Sequence, residues 1–460
     1  MKAALLPLIA VAASAQPLKL PSFERQTLPN GAVVIMMPRR DVPLVSLRVL
    51  ARGGDESDPA TASGLASVTA ELLRRGTPTR PADQFSEQLD FLGASFGAFS
   101  SGLATQVSAE CLSRYTDRVL DLVADAALRP TIPDAEFTKV IAQRVDSARS
   151  VKDNPQGAIG PYFRSFFFGS AHPYGRPADE KSLGAIRREH VVDHHRRAFC
   201  GRNLVIIAVG DFDPKSLGPL LAKTFGEAPE GAAVVPPKDP GPPSRASARL
   251  ILVDKPDATQ TYFQIGQPGI HRTHPDRIPL MLVNTHFGGR FTSMLNDELR
   301  VNSGLTYGAN CQLQQSRLTG AIVISSYTQT DTTVQAMDLA LDVLKRFRDK
   351  GLDAEQLASV KAYIKGGFPT RTLETSDQLA DVLADLELYG LGRDEIDEFF
   401  PRIDAVTIEQ ANALAKKFYR ADNLQFCLVG AASRIRAGVA KYAAARKELS
   451  INDPGFRVPE

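Results

Sequence analysis

The sequence predicts an α+β protein of two homologous domains, each a β-sheet with helices packed on one face, joined by a proline-rich linker. Three observations predict this class. The chain has 460 residues, which is more than one hydrophobic core usually supports. Strand-like runs such as 44–51 and 204–209 are mixed with longer segments of helical periodicity, such as 114–128 and 332–348, without regular βαβ alternation. The chain also repeats itself at a nearly constant spacing.

Three short matches define the repeat. They lie 219, 217 and 220 residues apart and pair Asp134-Ala135-Glu136 with Asp353-Ala354-Glu355, Asp121-Leu122 with Asp338-Leu339, and Asn203-Leu204 with Asn423-Leu424. Each match is weak alone, but three in the same order at nearly one offset indicate two copies of one domain. We therefore predict an N-terminal domain over 16–228 and a C-terminal domain over 249–460.

The predicted boundary is the segment 229–248. It holds a run of prolines at Pro229, Pro236, Pro237, Pro240, Pro242 and Pro243. Proline lacks the backbone N–H that helices and central strands need, so this segment is expected to be an extended and fairly stiff linker.

The first fifteen residues predict export. Residues 1–15 combine Lys2, an apolar run and a small-residue end at Ala13-Ser14-Ala15, which is typical of a secretory signal peptide. The apolar run is too short to span a membrane, and no later segment is long and apolar enough to do so. We expect an exported protein, in a bacterial periplasm, without a membrane span.

Net charge and cysteine spacing argue against two classes of function, nucleic-acid binding and thiol redox chemistry. The formal net charge is +2, so no strong basic field indicates nucleic acid as a partner. The four cysteines, Cys111, Cys200, Cys311 and Cys427, are far apart in sequence, which excludes a Cys-x-x-Cys redox site. Export permits disulfides, and the sequence leaves their pairing open.

The segment 63–77, SGLASVTAELLRRGT, predicts a helix with a particular face. Ser67 and Glu71 are four residues apart, so their side chains rise from the same face of that helix. Two histidines at this spacing can bind one zinc ion, but a neutral serine hydroxyl is a poor zinc ligand and Glu71 offers a single carboxylate. We expect Glu71 to pair with Arg75 instead.

This segment resembles the zinc-binding helix of the pitrilysin/insulinase (inverzincin) family of metallopeptidases. That family has Gly-Leu-Ala-His-x-x-Glu-His followed by Gly-Thr, and here Gly64-Leu65-Ala66 and Gly76-Thr77 match. The resemblance places Ser67 and Glu71 at the two histidine ligand positions and Ala70 at the general base. The third ligand, a glutamate ahead of an Asp-Asn-Pro-like turn, corresponds to Ser147, since that turn is 153–155 here. All four functional positions are therefore degenerate.

The resemblance covers nearly all of the mature chain, and its second half keeps the family's other motif. The segment 287–309 is similar to the glycine-rich loop and the arginine–tyrosine pair of the two-domain branch, which includes mitochondrial processing peptidase and bacterial heterodimeric peptidases. The pair corresponds to Arg300 and Tyr307, and Phe287-Gly288-Gly289 to a shortened substrate loop.

The resemblance implies that two subunits with different roles form the active peptidase. In that branch a zinc-bearing subunit often pairs with a zinc-free one, which presents its arginine and tyrosine to the partner's active site across a peptide chamber. We expect this chain to be the zinc-free subunit: inactive alone, without a cofactor of its own, binding peptide and completing the site of a zinc-bearing homologue in trans. Arg300 and Tyr307 would hold the substrate backbone and stabilise oxyanion charge.

Two other functions stay open. The chain could be a non-enzymatic peptide-binding or scaffold protein whose peptidase fold has lost its catalytic activity. It could also be a self-sufficient metallopeptidase, because His190 and His194 are four residues apart and could clamp a metal. A packing or solvated role is favoured for these histidines, since the family has an ordinary helix there.

Overall fold

A computed structural model describes residues 18–241 and 246–459. The predicted signal peptide, residues 1–15, lies outside the described residues. No helix within the described part of the chain is long and apolar enough to cross a membrane.

Two six-stranded sheets organise the described chain. The first has the order β1-β2-β6-β3-β5-β4 and the second has the order β12-β7-β11-β8-β10-β9. The strands of the first sheet are Glu24–Thr27 (β1), Val33–Pro38 (β2), Leu44–Arg52 (β3), Ser95–Ser100 (β4), Ala104–Leu112 (β5) and Leu204–Gly210 (β6). Those of the second are Arg249–Asp254 (β7), Gln260–Pro268 (β8), Ala309–Leu313 (β9), Ala321–Gln329 (β10), Gln425–Gly430 (β11) and Ala445–Ser450 (β12).

The two sheets share one topology over five strands. In each sheet a parallel pair, β2 with β6 or β7 with β11, is followed by three strands in antiparallel order. The sixth strand differs, because β1 comes from the start of the described chain and pairs antiparallel, whereas β12 comes from its end and pairs parallel. This equivalence confirms the predicted α+β class with two homologous sheet domains.

Helices make up most of the remaining structure. Those of the first half are Leu65–Leu72 (α1), Ala82–Leu92 (α2), Thr116–Leu128 (α3), Asp134–Ser150 (α4), Pro155–Phe168 (α5), Glu180–Gly184 (α6), Arg188–Ala198 (α7) and Pro214–Gly226 (α8). Those of the second half are Arg277–Asn284 (α9), Met294–Asn296 (α10), Thr333–Lys350 (α11), Ala354–Thr372 (α12), Ser376–Tyr389 (α13), Asp394–Asp397 (α14), Phe399–Asp404 (α15), Ile408–Phe418 (α16) and Ala432–Val439 (α17). Two π-helical turns, Thr285–Gly289 and Asp297–Asn302, flank α10.

Each sheet buries one face under helices of its own half, as predicted. In the first half the alternate strand residues Val34, Leu47 and Val107 pack with α3 and α8. In the second half the equivalent face, which includes Phe263 and Ile265, packs with α9, α11 and α16. Period-two alternation in the strands and helical spacing in the helices bring these apolar residues to the same layer.

The opposite face of each sheet receives a helix from the other half. Leu379 and Leu383 of α13 pack on the first sheet, and Phe163 and Phe167 of α5 pack on the second. Charge reinforces the exchange: Arg48, buried in β3, contacts Asp377 of α13 at 2.5 Å and Asp381 at 3.1 Å. The two halves therefore interlock, and the domain limits 16–228 and 249–460 remain a prediction.

The described part of the linker, 229–241 and 246–248, contains no helix or strand. Its backbone is held by both halves. Asn203 donates to the carbonyl of Ala232 and accepts from the N–H of Val234, while Asp239 accepts from the hydroxyl of Thr319.

Candidate functional site

Helix α1 carries the segment predicted to be a degenerate zinc motif. It begins after Gly64, whose φ of +95° favours glycine. The carboxylate of Asp58 accepts the backbone N–H groups of Gly64 and Ala66 at 2.8 and 3.0 Å, which satisfies the start of the helix. Burial raises the pKa of Asp58 to about 7, against the opposing effect of these hydrogen bonds. Leu65, Val68 and Leu72 pack on α4, α6 and α7 and fix the helix orientation.

A guanidinium lies across Ser67 and Glu71, the two predicted histidine ligand positions. Nη2 of Arg144, from α4, donates to the Ser67 hydroxyl at 2.5 Å, and Nε of Arg144 lies 4.0 Å from Oε2 of Glu71. The other oxygen of Glu71 lies 3.4 Å from Nη2 of Arg75, so the predicted pair between Glu71 and Arg75 is confirmed.

This arrangement does not fit a zinc ion. Two unit charges about 4 Å apart interact by about 4 kcal/mol at the effective dielectric constant near a protein surface, and a divalent cation doubles its repulsion from Arg144. Ala70 is fully buried and has no proton acceptor. Ser147 is exposed on α4, one turn beyond Arg144. In the described ranges 18–241 and 246–459, no group of three or more His, Cys, Asp or Glu side chains is placed to hold a metal.

A cavity of about 600 Å³ opens beside this helix, between the two halves. Ser67 and Arg144 line one side, and residues 314–316 from the loop after β9 line the other. The halves meet here through Glu56, which accepts from the Tyr174 hydroxyl at 2.7 Å and contacts Arg317 at 2.6 Å. The described residues therefore enclose a cavity beside α1 without forming a metal donor set there.

An open strand edge accompanies the cavity. Strand β4 pairs with β5 on one side, stands last in the first sheet and packs beside α1. Phe99 on this strand is 50% exposed. An extended peptide can bind such an edge through its main-chain hydrogen bonds.

The predicted substrate loop has a buried anchor. Phe287 is fully buried, stacks on Phe347 with ring centroids 4.9 Å apart, and meets Tyr419 edge-on at 5.1 Å. A Cβ at Gly288 would lie 2.5 Å from the Cβ of Cys311, so this glycine is required by internal packing. Phe287 and Gly288 therefore fix the loop, and Gly289 is its exposed member.

Tyr307 lines a surface groove of the second half, and Arg300 lies beside that groove against Phe291. The Cζ atom of Arg300 lies 4.5 Å from the ring centroid of Phe291. Phe291 and Tyr307, which are 66% and 81% exposed, line a groove of about 510 Å³ with Tyr363 of α12. None of the residues lining this groove lines the cavity beside α1. The two predicted sites are therefore separate features of one chain.

The histidines of α7 are arranged as capping and packing residues. Nδ1 of His190 accepts the backbone N–H of Arg187 at 3.2 Å and caps the helix. His194 is buried, and burial lowers its pKa to about 4. Nε2 of His195 contacts the carbonyl oxygen of Ala127 at 2.8 Å, and its ring stacks on Phe199. His190 caps the helix at the surface, whereas His194 is buried. The arrangement therefore does not favour the alternative in which these two histidines bind one metal ion.

All four cysteines are buried free thiols. Burial raises the pKa of Cys111 to about 11 and also raises those of Cys311 and Cys427. These thiols are inert packing groups, and the disulfide question left open by the sequence is answered.

Comparison with known proteins gives the family. Residues 34–159 match the profile described as "Insulinase (Peptidase family M16)", and residues 185–364 match "Peptidase M16 inactive domain". The chain belongs to the M16, or pitrilysin/insulinase, peptidase family.

Relatives and solved structures span most of the chain. It is similar to an uncharacterized zinc protease of Mycobacterium leprae, 28% identical, and to one of Mycobacterium tuberculosis, 29% identical; each alignment covers 85% of this chain, and 88% and 90% of the relative. The fold is similar to an M16 inactive domain protein from Pseudomonas fluorescens, with a TM-score of 0.82, 24% identity, and coverage of 93% of this chain and all of that one. A protease from Helicobacter pylori gives a TM-score of 0.82 at 18% identity and covers 89% of this chain and 100% of its own. The relatives' names call them zinc proteases, whereas the positions that the resemblance predicts as zinc ligands are Ser67, Glu71 and Ser147 in this chain.

Proposed function

We propose that this chain is the zinc-free subunit of a heterodimeric zinc metallopeptidase, which binds peptide and completes a partner's active site in trans. The observation that carries the proposal is the guanidinium of Arg144 between Ser67 and Glu71. A family member that has filled its metal position with a fixed cation needs zinc from another subunit to cleave peptides.

The second half supplies the groups for a role in trans. Arg300 and Tyr307 are both donors, and Tyr307 is 81% exposed rather than folded into the core. Near a scissile carbonyl of a substrate held by a zinc-bearing homologue, they would stabilise the developing oxyanion. Removing one donor of this kind typically costs about 2.7–4 kcal/mol of transition-state stabilisation.

The first half supports peptide binding. The exposed edge of β4 lies beside α1, and the cavity of about 600 Å³ lies between the halves. An extended peptide paired with β4 would run past the degenerate helix toward this cavity. Export to the periplasm, directed by the predicted signal peptide 1–15, is part of this proposal.

Mixing subunits tests the proposal. The mature chain alone is expected to leave a peptide library uncleaved, and a zinc-bearing M16 homologue from the same genome is expected to gain activity when it is added. Arg300→Ala in this chain should abolish the gain. Arg420→Ala is a matched control, because Arg420 is an exposed arginine of the same half that pairs at 3.7 Å with its neighbour Asp422. A gain that Arg300→Ala leaves unchanged contradicts the catalytic role.

A non-enzymatic peptide-binding protein is the second candidate. The cavity and the β4 edge favour it, since the described residues form both features and place no zinc donor set around them. Affinity capture from the periplasmic fraction discriminates the two: a zinc-bearing homologue supports the subunit, whereas bound peptides without such a homologue support the scaffold.

A further inference from the structure

The groove beside Arg300 and Tyr307, here called the aromatic groove, has three exposed or half-buried rings. Phe291 comes from the loop after the first π-helical turn, Tyr307 from the segment before β9, and Tyr363 from α12. They are 66%, 81% and 40% exposed. Rings of this size on a protein surface are typical of recognition sites rather than of inert surface.

Three guanidinium groups lie over these rings. The Cζ atoms of Arg290 and Arg371 are each 5.6 Å from the ring centroid of Tyr363, and that of Arg300 is 4.5 Å from Phe291. Stacking holds a guanidinium in place and leaves N–H groups at its edge for a carboxylate. The rings therefore position the cations as well as offering apolar contact.

No carboxylate of the described chain pairs with these three arginines. The ion pairs among residues 18–241 and 246–459 do not include Arg290, Arg300 or Arg371. Arg290 donates to the hydroxyl of Ser359 at 3.2 Å and to the carbonyl of Thr292 at 3.3 Å, both of which are neutral.

Two carboxylates in the flanking segments have partners of their own. Glu298, in the same π-helical turn as Arg300, contacts Arg346 at 3.4 Å. Asp353 accepts the backbone N–H of Gln356 at 2.8 Å and caps α12. Arg290, Arg300 and Arg371 therefore have no ion-pair partner among the described residues, although the whole protein carries a formal net charge of only +2.

We propose that the aromatic groove binds acidic peptide segments, with Asp or Glu carboxylates on Arg290 and Arg371 and apolar side chains against Phe291, Tyr307 and Tyr363, while Arg300 stays free for the scissile carbonyl. This inference rests on the proposed function in one respect: the segment is part of the substrate whose scissile bond the Arg300–Tyr307 pair serves. It adds a substrate class, peptides with acidic residues next to apolar ones. Charge complementarity selects this occupant over a neutral or basic peptide.

Fluorescence anisotropy with three labelled peptides tests the groove on the mature chain alone. The peptides alternate Phe with Glu, with Gln or with Lys and are otherwise identical. The Glu peptide is expected to bind about tenfold more tightly than the Gln peptide, and the difference should shrink as salt rises. Equal affinity for the Glu and Gln peptides overturns the proposal.

Two variants locate the binding. Arg371→Gln, at an exposed side chain, is expected to weaken Glu-peptide binding about threefold, and the double variant with Arg290→Gln about tenfold. Arg196→Gln on α7 is the control, since that exposed arginine pairs with Asp193 in the first half. If Arg290→Gln lowers the melting temperature, the binding of the Glu peptide by the single variant Arg371→Gln still tests the placement. Unchanged Glu-peptide binding by Arg371→Gln with intact folding contradicts the placement.

The same peptides separate this inference from the proposed function. If the mixture with the zinc-bearing homologue cleaves the Glu and Gln peptides equally well, the subunit role stands and the acidic preference is wrong. If the lone chain binds the Glu peptide selectively but the mixture shows no activity, the inference about the groove stands and the proposed subunit role is wrong.

Discussion

The guanidinium of Arg144 donates to the hydroxyl of Ser67 at 2.5 Å, at the first predicted ligand position of α1. The same guanidinium lies 4.0 Å from Glu71, at the second ligand position. One cation therefore contacts the polar groups at both predicted ligand positions, Ser67 and Glu71. Restoring ligands alone leaves that cation in place, which leads to the first prediction.

Zinc binding should return only when Arg144 is removed together with the ligand changes. We expect Ser67→His, Glu71→His and Ser147→Glu combined to bind zinc weakly, because the guanidinium repels a divalent ion at this distance. Adding Arg144→Ala should raise the zinc affinity by about tenfold or more. Competition against a chromophoric chelator measures it. Equal affinity with and without Arg144 would show that the guanidinium does not oppose the metal.

Tyr307 should act in the mixed peptidase through its hydroxyl. Tyr307→Phe keeps the ring in the groove and removes the donor, so kcat of the mixture is expected to fall by about a hundredfold or more. KM should change little, since the apolar contact remains. The ratio of kcat between the variant and the parent mixture measures the effect, and an unchanged kcat would restrict Tyr307 to binding.

The interlock of the two halves should depend on Arg48. Its side chain is 4% exposed and contacts Asp377 and Asp381 of α13, which are half exposed or more. Arg48→Ala is expected to lower the free energy of unfolding by about 2 kcal/mol, because two charge-assisted contacts between the halves are lost. Urea denaturation measures it.

A surface pair provides the matched comparison for Arg48. Arg434 pairs with Asp331, and their side chains are 48% and 76% exposed. Arg434→Ala is expected to cost less than about 1 kcal/mol. Equal losses for the two variants would mean that the contact between the halves is no stronger than an ordinary surface pair.

Asp58 should make stability depend on pH near neutrality. Burial raises its pKa from 3.8 to about 7 in the folded chain. The folded state therefore binds the proton more tightly, so the contribution of Asp58 is fully present below pH 3.8 and is lost as pH rises toward 7. Each unit of pKa difference corresponds to about 1.4 kcal/mol.

Asp58→Asn removes that titration and keeps an oxygen that can cap α1. The variant should gain stability relative to the parent as the pH rises from about 4 to about 7, and the gap should then level off. Urea denaturation across this range measures the gap. A constant gap between variant and parent would assign an ordinary pKa to Asp58.

Much of the fold was predictable because repeated sequence matches fall at the starts of equivalent helices and strands in the two halves. Asp134 opens α4 and Asp353 caps α12, while Leu204 begins β6 and Leu424 directly precedes β11. The exchange of α5 and α13 was not predictable, since an apolar helix face does not tell which sheet it will cover. The pairing of Glu71 with Arg75 was predictable because a local i, i+4 spacing sets it.

Arg144 was missed because its partner Ser67 is distant in sequence and the contact exists only once α4 crosses α1. The signal was indirect: Arg144 lies one turn before Ser147, the expected third ligand position, so the same helix face reaches the site. The burial of Phe287 was not predictable for a related reason. Its neighbouring glycines look like a binding loop in sequence, whereas packing against Phe347 and Tyr419 is visible only in the fold.

Zinc analysis of the purified complex tests the central claim most directly. The mature chain, expressed with excess zinc, is mixed with the zinc-bearing homologue, and metal is counted by mass spectrometry in the isolated heterodimer and in each free subunit. We predict stoichiometric zinc in the homologue and in the heterodimer, and far less than one equivalent in this chain alone. A full, chelator-sensitive equivalent of zinc on the lone chain would contradict the account.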